Sequence, residues 1–245
     1  MKNLDDSTAN LQSSVPKPEA ESKALVPATL LISLVSATLT LVLFAWIARE
    51  VLGGHAERFD LSVRMWVHQF ASATMTRVMT GISMLGGQIL VLEFIVAIAA
   101  FLALQWRRAA TWLAVAVAGA ILLEFTLKQV FQRPRPPVFF GIAPHDYGFP
   151  SGHALVSFCF YGVLAGLLAD RTESLLVEVL IWVTGACTIV AIGLSRIYLG
   201  MHYPTDVIAG FLAATIWVST IVALDHLRLL RRQRKLRRSE KDLSY

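Results

Sequence analysis

The sequence predicts an all-α, polytopic membrane protein with six transmembrane helices, and three observations predict it. The 245-residue chain is 56% hydrophobic but only 16% charged, where a soluble domain carries about a quarter charged residues. Its mean hydropathy is +0.60. Its apolar residues gather into six long runs poor in charge, and a helix needs about 20 such residues to cross the hydrocarbon core. Backbone in lipid must satisfy its own hydrogen bonds, so these runs are forced into helices. An ordinary soluble domain and a disordered chain are both excluded. Cys159 and Cys187 each lie within apolar runs, which offers neither a disulfide framework nor a cysteine metal site.

Residues 1–23 are rich in Ser, Asp, Glu and Lys and hold two prolines, the composition of a disordered N-terminus. The membrane domain is expected over 24–224. Its first helix is Ala24–Ala48, a charge-free run longer than the apolar core of a secretory signal and so read as a retained anchor. Between Glu57 and Val78, Val63, Trp66, Val67 and Phe70 recur at helical spacing among polar neighbours. That pattern predicts an amphipathic helix in the interface, a lid or packing element rather than a set of reacting groups. The remaining spans are expected at Gly86–Leu104, Ala109–Leu127, Gly152–Ala169, Val179–Leu194 and Val207–Leu224, the last three rather short. A basic tail, 225–245, completes the chain.

Orientation follows from Lys and Arg in the loops. The tail carries Arg228, Arg231, Arg232, Arg234, Lys235, Arg237 and Arg238, while Arg107–Arg108 and Arg171 fall in turns on the same side of a six-span bundle. Positive residues favour the cytoplasm, which predicts two cytoplasmic termini in a cell (inner) membrane and places 49–85, 128–151 and 195–206 on the outer, periplasmic or extracellular face. The surplus of 22 Lys+Arg over 17 Asp+Glu sits mostly in that tail. Its place directly after a membrane helix reads as a topology anchor attracted to anionic lipid, not as a nucleic-acid site.

Unusual polar residues gather at the predicted outer ends of helices three to six. Lys128 ends the third and is followed by Gln132-Arg133-Pro134-Arg135-Pro136; Pro150-Ser151-Gly152-His153 opens the fourth; Ser195-Arg196 closes the fifth; His202-Tyr203-Pro204-Thr205-Asp206 opens the sixth. Charge at membrane depth is costly and marks a pathway or site. Arginine matches phosphate oxygens with a planar fork and lysine supplies a point charge, so Lys128, Arg133, Arg135 and Arg196, with Ser151 and the two histidines, suit a compact polyanion. Ser151 fits an N-cap, Gly152 admits close backbone approach, and the helix N-terminus favours an anion. His202 and Asp206 share a helical face if the last helix begins near His202. A carboxylate on one ring nitrogen would leave the other free to attack, with His153 protonating the leaving oxygen.

Residues 128–136 read K-x6-R-P, 150–153 read P-S-G-H, and 195–202 read S-R-x5-H. With all three motifs in order, the chain resembles the type 2 phosphatidic acid phosphatase (PAP2) superfamily, which also holds acid phosphatases and vanadium haloperoxidases. The resemblance covers roughly Asp60 to Leu224, and its membrane branch shares the six-helix layout. It implies a metal-independent phosphatase without a cofactor, working through a phosphohistidine. His202 would be the nucleophile, Asp206 its orienting partner and His153 the general acid; Lys128, Arg135, Ser151, Gly152 and Arg196 would bind phosphate. Arg133 is not a motif position and stays a possible helper.

The expected function is hydrolysis of a terminal phosphate from a membrane lipid phosphate or diphosphate: undecaprenyl diphosphate, phosphatidylglycerol phosphate or phosphatidate. A lipid phosphotransferase and a non-catalytic lipid-phosphate binder or transporter are the alternatives. Glu124, four residues before Lys128, either orients that lysine or merely pairs with it. His55, His68, His145 and His226 read as solvated or interfacial side chains, with a headgroup contact by His145-Asp146, beside the P-S-G-H loop, as the lesser alternative; Glu93 has no evident partner.

Overall fold

The computed structural model describes residues 18–142 and 145–242, and side chains over 30–142, 145–228 and 230–231. Its helices are α1 (Pro18–Leu52), α2 (Glu57–His68), α3 (Ala73–Leu85), α4 (Gln88–Ala103), α5 (Arg107–Phe131), α6 (Gly152–Ala169), α7 (Leu175–Tyr198) and α8 (Pro204–Asp242). Six stretches are long and apolar enough to cross a membrane: Leu30–Leu52, Ala73–Ala103, Arg107–Phe131, Gly152–Ala169, Leu175–Tyr198 and Pro204–Arg228. The stretch expected to be disordered lies outside the described residues over 1–17, and α1 is already helical at Pro18. α8 continues through 242, so the basic tail is helical over its described part.

The fourth span matches its expected bounds, whereas the second begins at Ala73 rather than Gly86. Polar side chains in α3 hide it from hydropathy, and the helix itself absorbs some of them: Thr80 Oγ1 donates to the Thr76 carbonyl at 2.8 Å. Gly86-Gly87 then separates α3 from α4.

The interfacial helix predicted after Glu57 is α2, whose inner side mixes charged and apolar residues: Val63 and Val67 are half-buried on it, Val67 against Ala154, Ile197 and Val207. Asp60 and Arg64, one turn apart, are buried, while Phe59, Met65 and Trp66 are exposed. At a lipid interface large apolar side chains can stay outside while buried charges find protein partners.

Local chemistry sets the helix ends near the motifs. Gln132, left-handed at φ 46°, caps α5, and the prolines of Arg133-Pro134-Arg135-Pro136-Pro137 then hold the chain extended. Ser151 N-caps α6 through Oγ, which accepts from the Ala154 amide at 3.5 Å. After α7 the chain turns at Gly200, φ +74°, where a Cβ would lie 2.6 Å from the Phe139 nitrogen. Only glycine suits both demands.

Two compact units result: 37–218, and the described residues of 1–36 with 219–245. The latter comprises only the opening turns of α1 and the closing turns of α8. In the 37–218 unit, α6 packs on α5 and α7, α3 on α7 and α4, and α4 on α5. One core joins Phe44, Ala48, Ala120, Phe149, Leu155, Cys159 and Ala209, Ala213, Ala214. A second joins Leu90, Phe101, Leu113, Val117 and Phe160. The alanines let helices approach closely, the contact that holds bundles together in lipid. Outward-facing Leu92, Ile95, Leu122, Phe125, Leu180 and Val183 are exposed for contact with acyl chains.

A Cβ at Gly210 would lie 2.8 Å from the Ser151 carbonyl oxygen and 3.0 Å from the Ala154 Cβ. Gly210→Ala must therefore push α8 off the start of α6. Thermal unfolding in detergent should show a loss of about 1–3 kcal/mol, the usual size of an overpacking defect; unchanged stability would contradict this contact.

Candidate active site

The last turn of α5, the first turn of α6, the last turn of α7 and the residues leading into α8 meet within the 37–218 unit. They border a cavity of about 650 Å³ lined by Glu124, Lys128, Arg135, His145, Asp146, Gly152, His153, Arg196 and His202. Alternating helix directions bring these ends together, as the motif positions predict.

His202 is 1% exposed and held at both ring nitrogens. Nδ1 lies 2.9 Å from the Gly148 carbonyl oxygen, and Nε2 lies 2.8 Å from Arg135 Nη1. A guanidinium can only donate, so Nε2 must accept and Nδ1 must carry the hydrogen, donated to Gly148. The tautomer is thus set from two sides, leaving the Nε2 lone pair on the cavity side. Burial, followed by the charges of Arg135, Arg196 and Lys128, holds His202 well below the ordinary imidazole pKa, so the ring is neutral.

Asp206, the expected partner, stands beside the same nitrogen at longer range: its Oδ2 is 3.5 Å from Nδ1, behind the Gly148 carbonyl, and both carboxylate oxygens take further donors. Oδ1 accepts from Arg133 Nη1 at 2.5 Å, and Oδ2 accepts from the Tyr203 amide at 2.9 Å. Arg133 also donates to Asp60 Oδ2 at 2.7 Å and to Thr205 Oγ1 at 2.8 Å. Asp60 in turn takes the Thr205 amide at 3.0 Å and the Thr205 hydroxyl at 2.7 Å. The Arg133 guanidinium lies 4.3 Å from the Tyr203 ring centroid. Burial opposes its charge, but Asp206 and Asp60 outweigh burial and raise its pKa. Arg133 is therefore a positioning residue for the α8 entrance, and Asp60 is the α2 anchor that composition could not reveal.

The cations are arranged around the cavity. Lys128 Nζ is 2.7 Å from Glu124 Oε1 and 2.6 Å from Asp146 Oδ2. Arg135 Nη2 is 2.7 Å from Asp146 Oδ1, and its Nη1 also donates to the Met201 carbonyl at 3.0 Å. Arg196 donates from Nη1 to Ser83 Oγ at 2.6 Å, but its buried Nε has no protein partner. An orphaned donor on a buried arginine is costly unless a ligand completes it. Asp146 resists protonation: burial would raise its pKa, yet Lys128 and Arg135 hold it below the usual carboxylate range.

His153 lies against the α3–α4 junction. A Cβ at Gly87 would stand 3.1 Å from its Nε2, and one at Gly86 3.2 Å from its Cδ2. Gly86-Gly87 thus makes room for the ring. At Gly152 the space for a Cβ is taken by the Glu124 carboxylate, so that glycine accommodates a protein carboxylate.

Of the eight residues expected at the site, Lys128, Arg135, Gly152, His153, Arg196 and His202 line the cavity, while Ser151 and Asp206 do not. Ser151 is fully buried as the α6 cap, and Asp206 fully buried in the Arg133 network. Glu93 accepts from the Tyr161 hydroxyl at 2.6 Å, supplying the partner its sequence context lacked. Sequence reasoning also missed the Gly148 carbonyl and Ser83. A backbone acceptor leaves no side-chain signal, and Ser83 meets Arg196 only across α3 and α7. Among the described residues, no group of three or more His, Cys, Asp or Glu side chains is placed to hold a metal ion.

Residues 109–229 match the model of the PAP2 superfamily. The chain is similar to phosphatidylglycerophosphatase B of Bacillus subtilis, 34% identical over 142 residues, which cover 56% of this chain and 68% of that one. It is similar to an undecaprenyl-diphosphatase of Sulfolobus acidocaldarius, 33% identical over 119 residues, 46% of this chain and about half (53%) of the relative. Its fold resembles the crystal structure of a transmembrane PAP2-type phosphatidylglycerolphosphate phosphatase from Bacillus subtilis, with TM-score 0.70, 25% identity, and coverage of 78% and 96% of the two chains.

Two outcomes follow from this geometry. Arg133→Met leaves the buried Asp60 and Asp206 carboxylates facing each other, and should cost about 3–5 kcal/mol of stability; a loss below about 1 kcal/mol in thermal unfolding would break the network argument. Gly87→Ala should lower kcat by about tenfold or more by displacing His153 while the fold persists. Full activity in that variant would show that the ring does not need this space.

Proposed function

The chain belongs to the PAP2 superfamily, and on that premise we propose that it is a membrane phosphatase that removes a terminal phosphate from a lipid phosphate or diphosphate through a phosphohistidine. The carrying observation is the cavity itself: three cations beside an imidazole whose tautomer presents Nε2.

In the first step His202 Nε2 forms a bond to phosphorus while the bond from phosphorus to the leaving oxygen breaks. His153 gives that oxygen its proton. Arg135 Nη1, which donates to Nε2 in the free site, passes to a phosphoryl oxygen as the lone pair is consumed. Lys128, Arg135 and Arg196 stabilise the charge spread over the transferring group. In the second step a water gives a proton to His153 and attacks phosphorus, breaking the N–P bond and releasing inorganic phosphate. The Nδ1–H bond to Gly148 orients the ring throughout, while Asp206, held by Arg133, lies close enough to stabilise charge on it.

His153 and Arg196 also line a second cavity, of about 750 Å³, walled by Thr76, Thr80, Ser83 and Gln88 together with Met84, Val91, Phe140, Leu199 and Met201. His202 does not reach it. A group leaving on the side of His153 opposite the nucleophile enters this space, whose mixed hydroxyl, amide and apolar lining suits a lipid headgroup. Undecaprenyl diphosphate, phosphatidylglycerol phosphate and phosphatidate are the substrates to test. The loop charges support a pocket on the outer face of the cell membrane with both termini in the cytoplasm; a cysteine at Ile142, 88% exposed, in a Cys187→Ser background should react with an impermeant thiol reagent from outside intact cells.

Purified protein given each lipid alone should release inorganic phosphate, and activity should persist in excess EDTA. Phosphate transfer to a second lipid without free phosphate would indicate a transferase. His202→Ala should reduce release by about 10³-fold or more, as loss of a covalent nucleophile does. Near-normal release by that variant, or a strict need for Mg²⁺, would overturn the mechanism.

A further inference from the structure

The carboxylate of Asp146 holds the place that the phosphate reading gives to substrate oxygens. Oδ2 takes Lys128 Nζ at 2.6 Å, while Oδ1 takes Arg135 Nε at 2.9 Å and Nη2 at 2.7 Å. One anionic group thus bridges two of the three cavity cations, as two oxygens of a phosphate would. Glu124 differs: it meets Lys128 alone, from within the same helix. Asp146 sits instead on the loop between α5 and α6, its side chain 47% exposed against 11% for Lys128 and 9% for Arg135. The cations are the walls of the cavity, and the carboxylate enters from the open side.

We infer that Asp146 is a built-in competitor for the phosphate subsite: it occupies Lys128 and Arg135 in the free enzyme, yields them to the substrate phosphoryl group, and returns to them to expel inorganic phosphate. The inference rests on the phosphatase reading of the same cavity. Its physical basis is a closed exchange in which no proton or electron changes hands. The two cations are never left without an anion, so the free pocket avoids packing like charges in a low-dielectric site. A half-exposed carboxylate binds them less firmly than a dianion. It therefore trims affinity for every phosphate, including the product, whose release would otherwise be slowed by the contacts that stabilise the transferring group. On this account Asp146 lowers retention of orthophosphate without being a group that reacts.

The experiment measures product inhibition by inorganic phosphate, with direct titration of tungstate as a non-reacting phosphate mimic, on full-length protein in detergent. Asp146→Asn keeps the shape of the side chain and removes the charge. It should tighten the phosphate Ki and the tungstate Kd by about five- to tenfold, the scale of two partly exposed ion pairs, and lower KM in the same direction. Asp146→Glu, which restores the charge, should move both constants back toward the wild-type values. If Asp146 only props the two cations in place, Asp146→Asn would instead weaken phosphate and tungstate binding and raise KM. That result, or constants equal to wild type in a variant with an unchanged unfolding temperature, would overturn the inference while leaving the phosphate site intact. Failure of wild type and Asp146→Asn alike to bind tungstate or feel phosphate would overturn the site reading itself.

Discussion

The site depends on one guanidinium held between two carboxylates that have no contact with solvent. Arg133 joins Asp60 of α2 to Asp206 of α8, elements far apart in sequence. Two charges taken out of water are stabilised only by close geometry and satisfied lone pairs, and here Thr205 and the Tyr203 amide fill the remaining positions. The network fixes where α8 begins relative to the extended chain after α5. It thereby fixes where His202, four residues before Asp206, can lie. Arg64 strengthens the same junction, donating to the Pro137 carbonyl at 2.6 Å.

Around that anchor, charge is sorted by depth. The deepest carboxylates belong to the Arg133 network, where the guanidinium between them offsets their charge behind the cavity wall. The cavity wall keeps Lys128, Arg135 and Arg196: the first two share the loop carboxylate of Asp146, Lys128 also pairs with Glu124 on its own helix, and Arg196 meets only the neutral hydroxyl of Ser83. A neutral hydrogen-bond partner leaves the Arg196 charge without an ion pair of its own, an arrangement suited to the proposed anion site.

Much of this was legible in the chain. Six apolar runs defined the spans, and the polar residues at their ends marked the cavity wall, because a charge beside lipid is too costly to keep without a partner or a ligand. The sequence did not disclose which side α2 presents: Val63, Trp66 and Val67 give the period of a helix, but only the surroundings decide whether its apolar face meets protein or lipid. It could not disclose α3 either, since Thr76, Thr80 and Ser83 lower local hydropathy while bonding within the protein. Asp60 and Ser83 are written as ordinary polar residues, and their meaning comes from partners 73 and 113 positions away. Gly86-Gly87 read only as a helix start, because the ring it accommodates lies on α6.

That a carbonyl stands nearest His202 Nδ1, with the Asp206 carboxylate farther off at 3.5 Å, has a consequence for the chemistry. A carboxylate bonded to Nδ1 would favour the imidazolium, and in a pocket of three cations an imidazolium has no lone pair with which to attack. The Gly148 carbonyl fixes the same tautomer with a neutral dipole and leaves the ring basicity to be set by burial and by Arg135, Arg196 and Lys128, all of which disfavour protonation. On the proposed mechanism a ring phosphorylated at Nε2 would carry positive charge, and the Asp206 oxygen 3.5 Å from Nδ1 would face that charge from the side opposite the phosphoryl group. On that mechanism Asp206 would do most for the charged ring and little for the neutral one, the differential stabilisation that accelerates a step rather than merely tightening a complex.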